Sequence, residues 1–256
     1  MKIVVCIKQV PDTTDIKWTE NNTIQRDGVE SIMNPYDVWA LEAALQIKRE
    51  LRGSTITVLT MGPLQADSML KKAIALGADD AILLSDKKFA GADTFATGKT
   101  LSKAIAEKVA DFDLIICGQF AIDGDTAQTG PCIAANLNLP QVSFVKRVKE
   151  IAPDYLILER EVENGFETVE VHIPALICML QGQGEPSRPL IEGIIKAHGF
   201  EVKVFAHEDI GLSPDEIGIK GSPTYVSKAF RPQKRNDCVF VDTVGELAVA
   251  IGGENG

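Results

Sequence analysis

The chain has 256 residues, 45% of them hydrophobic and 24% charged, with a net charge of −10. This is enough apolar material for one sizeable core with an appendage. The acidic surface argues against nucleic acid and anionic membrane as partners. No apolar run approaches the roughly 20 residues of a membrane span. Residues 1–6 lack a signal-peptide layout and read as a first strand, so a cytoplasmic protein without membrane insertion is expected.

In chain order, residues 3–7 form a short run rich in β-branched residues and predict a strand. Asn34 then precedes Pro35, a helix cap followed by proline at the first helical position. Val38, Leu41 and Leu45 continue at helical spacing over residues 36–51. Residues 55–59 predict a strand. The helix after it carries Leu70, Ala73 and Ile74 on one face and stops at Gly77. Residues 81–84 predict a strand, and Asp93 caps a helix whose Leu101, Ile105 and Val109 share a face. Residues 114–117 predict another strand, after which Gly118 opens a loop.

This alternation predicts an α/β fold, a mostly parallel twisted sheet with helices on both faces, Rossmann-like in layout. Its strands are apolar throughout, as doubly covered strands are. After Pro140 the pattern changes. Residues 142–148, 155–162 and 168–173 alternate, with a turn at Glu163-Asn164-Gly165, and predict an antiparallel extension. A Gly- and Pro-containing loop over 181–189 leads to a short helix over 190–196. From about Gly221 there are few core-like residues until Val239, and then an amphipathic run over 244–251. The expected division is a domain over 1–220 and an arm over 221–256, ordered by packing on something else.

Five cysteines are present: Cys6, Cys117, Cys132, Cys178 and Cys238. Their number is odd, none form C-x-x-C, and three lie inside apolar runs. Buried reduced thiols are expected, not disulfides or a metal site. His172, His198 and His207 have no metal-ligand spacing. Trp18 and Trp39 read as packing residues, and the acidic cluster over 159–163 as solvated strand positions.

The most informative segment is residues 118–130, Gly-Gln-Phe-Ala-Ile-Asp-Gly-Asp-Thr-Ala-Gln-Thr-Gly. It follows a buried strand and leads into a helix that Asp125 or Thr126 can cap. Free N–H groups of a first helical turn, with the helix dipole, suit a diphosphate. Gly124 and Gly130 permit close backbone approach. The segment is neither a Walker A loop nor G-x-G-x-x-G, and it lacks the oxygen ligands of a Ca²⁺ loop. A polar turn before a capped helix accounts for the same residues as well as an anion site does. Cys6-Ile7-Lys8, Asn34-Pro35-Tyr36-Asp37 and Met61-Gly62-Pro63 lie at other strand ends or helix starts. Singly each is a turn or cap; their convergence at the carboxyl edge of one sheet favours a binding site.

The ordered set formed by residues 5–10 (Val-Cys-Ile-Lys-Gln-Val), 31–36 (Ser-Ile-Met-Asn-Pro-Tyr), 61–63, 75–79 (Ala-Leu-Gly-Ala-Asp) and 119–130 resembles the β subunit of electron-transfer flavoproteins. The similarity continues through Ile173-Pro174-Ala175 and Glu185-Pro186 to Ile195-Lys196-Ala197, and covers nearly the whole chain. The resemblance implies a heterodimer with a larger α subunit that carries FAD. It implies an adenine-nucleotide pocket formed by Cys6, Asn34, Pro35, Tyr36, Asp37, Met61, Asp123, Gly124, Asp125, Thr126, Ala127, Gln128 and Thr129. It further implies that the C-terminal arm wraps the α subunit and that Ile191 lies near the apolar anchor that docks redox partners. The docking loop departs from the family at Gly182, Gly184 and Pro189.

Conventional members hold AMP in β; electron-bifurcating members hold a second FAD that takes hydride from NADH. The stretch Asp123-Gly124-Asp125-Thr126-Ala127-Gln128 is similar to the bifurcating pattern, in which Gly124 and Ala127 shed bulk where a larger cofactor passes. Pro131 departs from the pattern, in what should be a first helical turn. The resemblance then implies FAD as cofactor and NADH as substrate. The partners it implies are ferredoxin or flavodoxin and an acyl-CoA, enoyl-CoA or lactate-type dehydrogenase. No catalytic side chain is expected, because the flavin carries the chemistry. The competing readings are a conventional carrier with structural AMP, a stand-alone adenine-nucleotide-binding regulatory module and a scaffold subunit with an empty pocket.

Overall fold

Nine strands form one sheet in the order β11-β5-β4-β1-β6-β10-β7-β8-β9 in a computed structural model that describes residues 1–12, 31–227 and 240–252. The chain divides into two units, Met1–Tyr225 and Val226–Gly256. In the first unit, β1 (Lys2–Cys6), β4 (Thr55–Met61), β5 (Asp80–Leu84), β6 (Leu114–Gly118), β10 (Ala175–Met179) and β11 (Lys203–Phe205) run parallel to their neighbours. A separate two-stranded ladder pairs β2 (Gln9–Pro11) with β3 (Ser31–Met33).

Strand alternation feeds two cores. Ile3, Val5, Ile56, Val58, Leu114, Ile116 and Ile177 face α1 (Pro35–Glu50), α2 (Asp67–Leu76) and α5 (Ile191–His198). Val4, Cys6, Leu59, Ile115, Cys117, Leu176 and Cys178 face α3 (Thr94–Ala104) and α4 (Thr129–Leu137). Each fully buried Leu or Ile contributes about 1.5–3 kcal/mol, so covering both faces is what holds these short apolar strands in place. The helix signals read from sequence are met at Pro35, at the Gly77 stop with φ 127°, and at Asp93, whose side chain accepts the Ala96 N–H. The third helix runs on into a π-helical turn over Ile105–Val109.

The antiparallel extension is present as β7 (Gln141–Ile151), β8 (Tyr155–Val162) and β9 (Gly165–His172). One correction concerns β7. It pairs in parallel with β10 over its first residues and antiparallel with β8 only from Val145 onward. It therefore joins the two halves of the sheet. A second correction is that β10, a central strand, carries no distinct signal in the sequence. Within the acidic cluster, Glu161 and Glu163 are exposed, but Glu159 is mostly covered and paired with Arg147. Trp39 is a packing residue: a Cβ on Gly182 would lie 2.5 Å from its ring. Trp18, Cys238 and Val239 lie outside the described residues.

In the second unit, α6 (Val244–Gly252) has a capped start. The Glu246 N–H donates to Thr243 Oγ1 and the Asp242 N–H to Glu246 Oε2. Its side chains over 244–251 are all exposed, Val244, Val249 and Ile251 among them. No helix among the described residues is long and apolar enough to cross a membrane.

Candidate functional site

The chain leaves β1 toward β4 and β5 on one side and returns to place β6 on the other. The carboxyl ends of β1 and β6 therefore flank the switch point, where open α/β sheets form a crevice. Asp37, in the first turn of α1, closes the floor of that crevice. Its Oδ2 accepts the Lys8 N–H at 2.6 Å and its Oδ1 accepts the Gly118 N–H at 3.1 Å. One carboxylate thus bonds the ends of both strands. Burial pushes Asp37 up to about 7, against the pull of Asn34, of the two N–H groups and of the Lys8 charge.

Asn34 precedes α1 as expected, but its side chain does not cap that helix. It reaches across the crevice instead. Its Nδ2 donates to the Phe120 carbonyl at 2.7 Å and its Oδ1 accepts the Ile122 N–H at 3.2 Å. Its own N–H donates to the Lys8 carbonyl at 2.9 Å. The loop after β6 is therefore tied to the start of α1. Lys8 Nζ adds an ion pair to Asp123 Oδ1 at 2.6 Å, in which the Asp123 side chain is only 2% exposed and that of Lys8 43%. Tyr36, Phe120 and Phe144 form a file of edge-on rings, with centroids 5.3 and 6.0 Å apart.

The helix after this loop begins later than the sequence suggests. Asp125 and Ala127 adopt φ 50° and 56°, a left-handed backbone that cannot open an α-helix. Neither Asp125 nor Thr126 is the cap. Gln128 takes that position, its carbonyl accepting the Cys132 N–H at 2.9 Å, and α4 starts at Thr129. The Gln128 side chain accepts the Thr94 hydroxyl at 2.9 Å, which joins the loop to α3. Left-handed Ala127 followed by right-handed Gln128 turns successive N–H groups toward one side, the arrangement of an anion nest. The Thr129 and Gly130 N–H groups have no carbonyl one turn back. Pro131 falls in this first turn, where a missing N–H removes no helical bond.

The two loop glycines part company. A Cβ on Gly130 would lie 2.4 Å from Cys178 Sγ, whereas one on Gly124 would meet nothing within 4 Å. Gly130→Ala is expected to cost about 1–3 kcal/mol by lifting α4 off β10. Gly124→Ala should stay within about 0.5 kcal/mol of the parent. Urea unfolding of the two variants checks this; equal midpoints would contradict the packing described.

Three predicted thiols form a row. Cys6, Cys117 and Cys178 stand in register on β1, β6 and β10, all buried and reduced. The hydrogen bond to Cys6, and then burial, raises the Cys117 thiol; burial pushes Cys178 up to about 12. These are inert packing thiols, as expected. Met61 ends β4, two residues beyond the partner of Cys6, and packs partly against the same core. Asp125 and Thr126 are exposed on the loop. Ile191 is not in the crevice. It opens α5, where Leu190, Ile191, Ile194 and Ile195 form an exposed apolar patch. That helix is fixed from below by Lys196 Nζ on the Ala78 carbonyl and by Gly193 against the Ala75 carbonyl.

Sequence reasoning missed Gln119 and Phe144. Buried Gln119 accepts the Phe144 N–H at 2.6 Å and so holds Phe144 at φ 60° on the rim. Gln119 lies in the segment over 118–130, but no local signal marks its partner, because it follows β6 while Phe144 lies on β7.

These features define a doubly wound α/β protein with a polar, loop-closed crevice at its switch point. Residues 21–210 match the electron transfer flavoprotein domain, and the chain belongs to the electron transfer flavoprotein family. It is 45% identical to the caffeyl-CoA reductase-Etf complex subunit CarD of Acetobacterium woodii, over 98% of this chain and 96% of that one. It is 47% identical to the electron transfer flavoprotein subunit beta of Thermoanaerobacterium thermosaccharolyticum, over 96% and 94%. It is 40% identical to the acryloyl-CoA reductase electron transfer subunit gamma of Anaerotignum propionicum, over 92% and 90%. The family supports an electron-transfer role of the β-subunit kind.

Proposed function

We propose that this chain is the β subunit of a heterodimeric, electron-bifurcating electron-transfer flavoprotein and that its crevice holds FAD. The donor set fits such a group: helix-start and loop N–H groups for phosphates, with Asn34 and Asp37 fixing the walls. What supports FAD over AMP is the stretch Asp123-Gly124-Asp125-Thr126-Ala127-Gln128, similar to the bifurcating pattern, in which Gly124 and Ala127 carry little bulk. When bound, FAD supplies hydride acceptance from NADH and the separate passage of two electrons. The partners this would serve are ferredoxin or flavodoxin and, through the α subunit with its own FAD, a dehydrogenase.

The chain's own residues bind, orient and exclude water. The N–H groups of Thr129 and Gly130 take phosphate oxygens, and the Lys8–Asp123 and Asn34 ties hold the loop in place. The apolar patch on α5, with Ile191, docks redox partners of the acyl-CoA, enoyl-CoA or lactate-type dehydrogenase classes. Two relatives are named for caffeyl-CoA and acryloyl-CoA, both α,β-unsaturated thioesters, which supports the enoyl-CoA class. Residues 221–256, with the exposed apolar side chains of α6, form an arm on the α subunit.

The test is the cofactor content of the heterodimer. The chain is co-expressed with its α subunit, purified and denatured, and FAD and AMP are counted by chromatography. Two FAD and no AMP per heterodimer is the expected result. One FAD and one AMP would overturn bifurcation and leave a conventional carrier. No flavin and no stable partner would overturn the assignment altogether.

A further inference from the structure

The loop over 181–189 departs from the family at Gly182 and Gly184, and the crevice accounts for neither. The explanation lies in how this loop meets α1. A Cβ on Gly182 would lie 2.5 Å from Cε3 and Cζ3 of Trp39, so the loop backbone rests directly on the indole. Gly184 adopts φ 89°, a left-handed backbone that favours glycine. It stands between two points of contact with the same helix.

The second contact is made by Glu42. Its Oε1 accepts the Ser187 N–H at 2.7 Å and its Oε2 accepts the Ser187 hydroxyl at 2.8 Å. Residues three apart on a helix are neighbours on its surface, so Trp39 and Glu42 form one seat for the loop. The near end of the loop is tied to β7. Lys146 Nζ donates to the Gln181 carbonyl at 2.9 Å, and the Leu180 N–H donates to the Val145 carbonyl at 2.8 Å. An exposed loop is thus held at Gln181, Gly182 and Ser187.

What this loop delivers is the start of α5. That helix is anchored from below at Gly193, Lys196 and Ala197. Leu190 and Ile191 precede those anchors, and they are 74% and 76% exposed. Where the two side chains project therefore depends on where the loop releases the chain. The last tie before that point is the contact between Glu42 and Ser187.

We propose that Trp39 and Glu42 are positioning residues for partner docking: through Gly182 and Ser187 they fix the loop that aims Leu190 and Ile191, and breaking this latch weakens docking without altering the electron transfer that follows it. This rests on the docking reading of the α5 patch given above.

The experiment uses the heterodimer with its α subunit, reduced by dithionite, so that it depends neither on NADH nor on bifurcation. The acceptors are purified acyl-CoA, enoyl-CoA and lactate-type dehydrogenases, and variants are compared on the one that the parent reduces fastest. Glu42→Ala should raise the apparent KM for that dehydrogenase about tenfold, the worth of one hydrogen bond to a charged group. Its kcat and flavin content should not change. Gly182→Ala, which lifts the loop off Trp39, should act in the same direction. Adding Ser187→Ala to Glu42→Ala should have no further effect, because both remove one contact. Glu42→Gln should stay near the parent, since its amide oxygen accepts the N–H and its NH2 donates to the hydroxyl. Hydrogen exchange on the full-length chain gives a second readout: the Ser187 amide should exchange about tenfold faster in Glu42→Ala. An unchanged KM in Glu42→Ala, a loss confined to kcat, or unchanged exchange at Ser187 would each overturn the proposal. If the parent reduces none of the dehydrogenases, the docking reading itself falls, an outcome seen before any variant is made.

Discussion

Replacing Asp37 by alanine is expected to destabilise the first unit by about 2–6 kcal/mol. The Lys8 and Gly118 N–H groups lose their acceptor together, and each buried orphan costs about 1–3 kcal/mol. Urea unfolding reads the loss as a lower midpoint at unchanged slope. Asp37→Asn removes the titration, and with it one of the two acceptors, so it is compared with the parent through its pH dependence alone. Burial holds Asp37 up at about 7 in the folded chain, above the ordinary 3.8 of an unfolded carboxyl. Between about pH 4 and 7 the folded state therefore keeps a proton that the unfolded state has released. Stability contributed by this group falls as pH rises through that window and levels off above it. The expected difference between parent and Asp37→Asn across the window is on the order of 4 kcal/mol. Parallel stability profiles for the two proteins would show that Asp37 does not titrate as described.

Gly118→Ala is expected to cost about 3 kcal/mol, at the upper end of overpacking effects, and, if the crevice holds FAD as proposed, to abolish that binding. A Cβ there would lie 2.2 Å from Asp37 Oδ1, 2.8 Å from Tyr36 Cβ and 2.9 Å from the Asp37 nitrogen. All three belong to the start of α1, and two of them, Tyr36 Cβ and the Asp37 nitrogen, cannot swing aside. The helix must retreat from β6, which opens the floor of the crevice. A variant that keeps both its urea midpoint and, in the heterodimer, a content of two FAD would refute this account. Gly124→Ala, six residues on, serves as the contrast.

The regular half of this architecture was legible because each element carries its own period and punctuation. Leu70, Ala73 and Ile74 before Gly77, or Asp93 before Leu101, announce a helix without reference to any neighbour. Where structure depends on partners, the sequence was silent. Ala175–Met179 is a five-residue apolar run that period alone cannot assign to strand or helix. Its identity comes from lying between β6 and β7. Lys203–Phe205 is too short to show alternation. The delayed start of α4 was hidden because Asp125 and Thr126 are good caps by type, and only the left-handed turns at Asp125 and Ala127 exclude them. The residues at the strand ends could be grouped at one sheet edge from sequence, but not the bonds among them. Asn34 was read as a local cap, yet its amide is used 86 and 88 residues away. Lys8 was noticed at a strand end, but its pairing with Asp123 requires β1 and β6 to be neighbours.

The order of the large sheet has a consequence for solubility. Its two outer strands are β9 and β11, and both are poor templates for a second chain. At one end β11 offers only three residues, and its Lys203 is paired with Asp80. At the other end β9 is longer, but it carries Glu167, Glu170 and His172, with Arg160 and Glu167 paired across the ladder. Short strands and charged edges discourage growth of a sheet from one molecule to the next. Fibril-like polymerisation is thus disfavoured at either edge. In concentrated solution, self-association of the first unit should begin instead at the apolar patch of Leu190, Ile191, Ile194 and Ile195, and should weaken when that patch is covered.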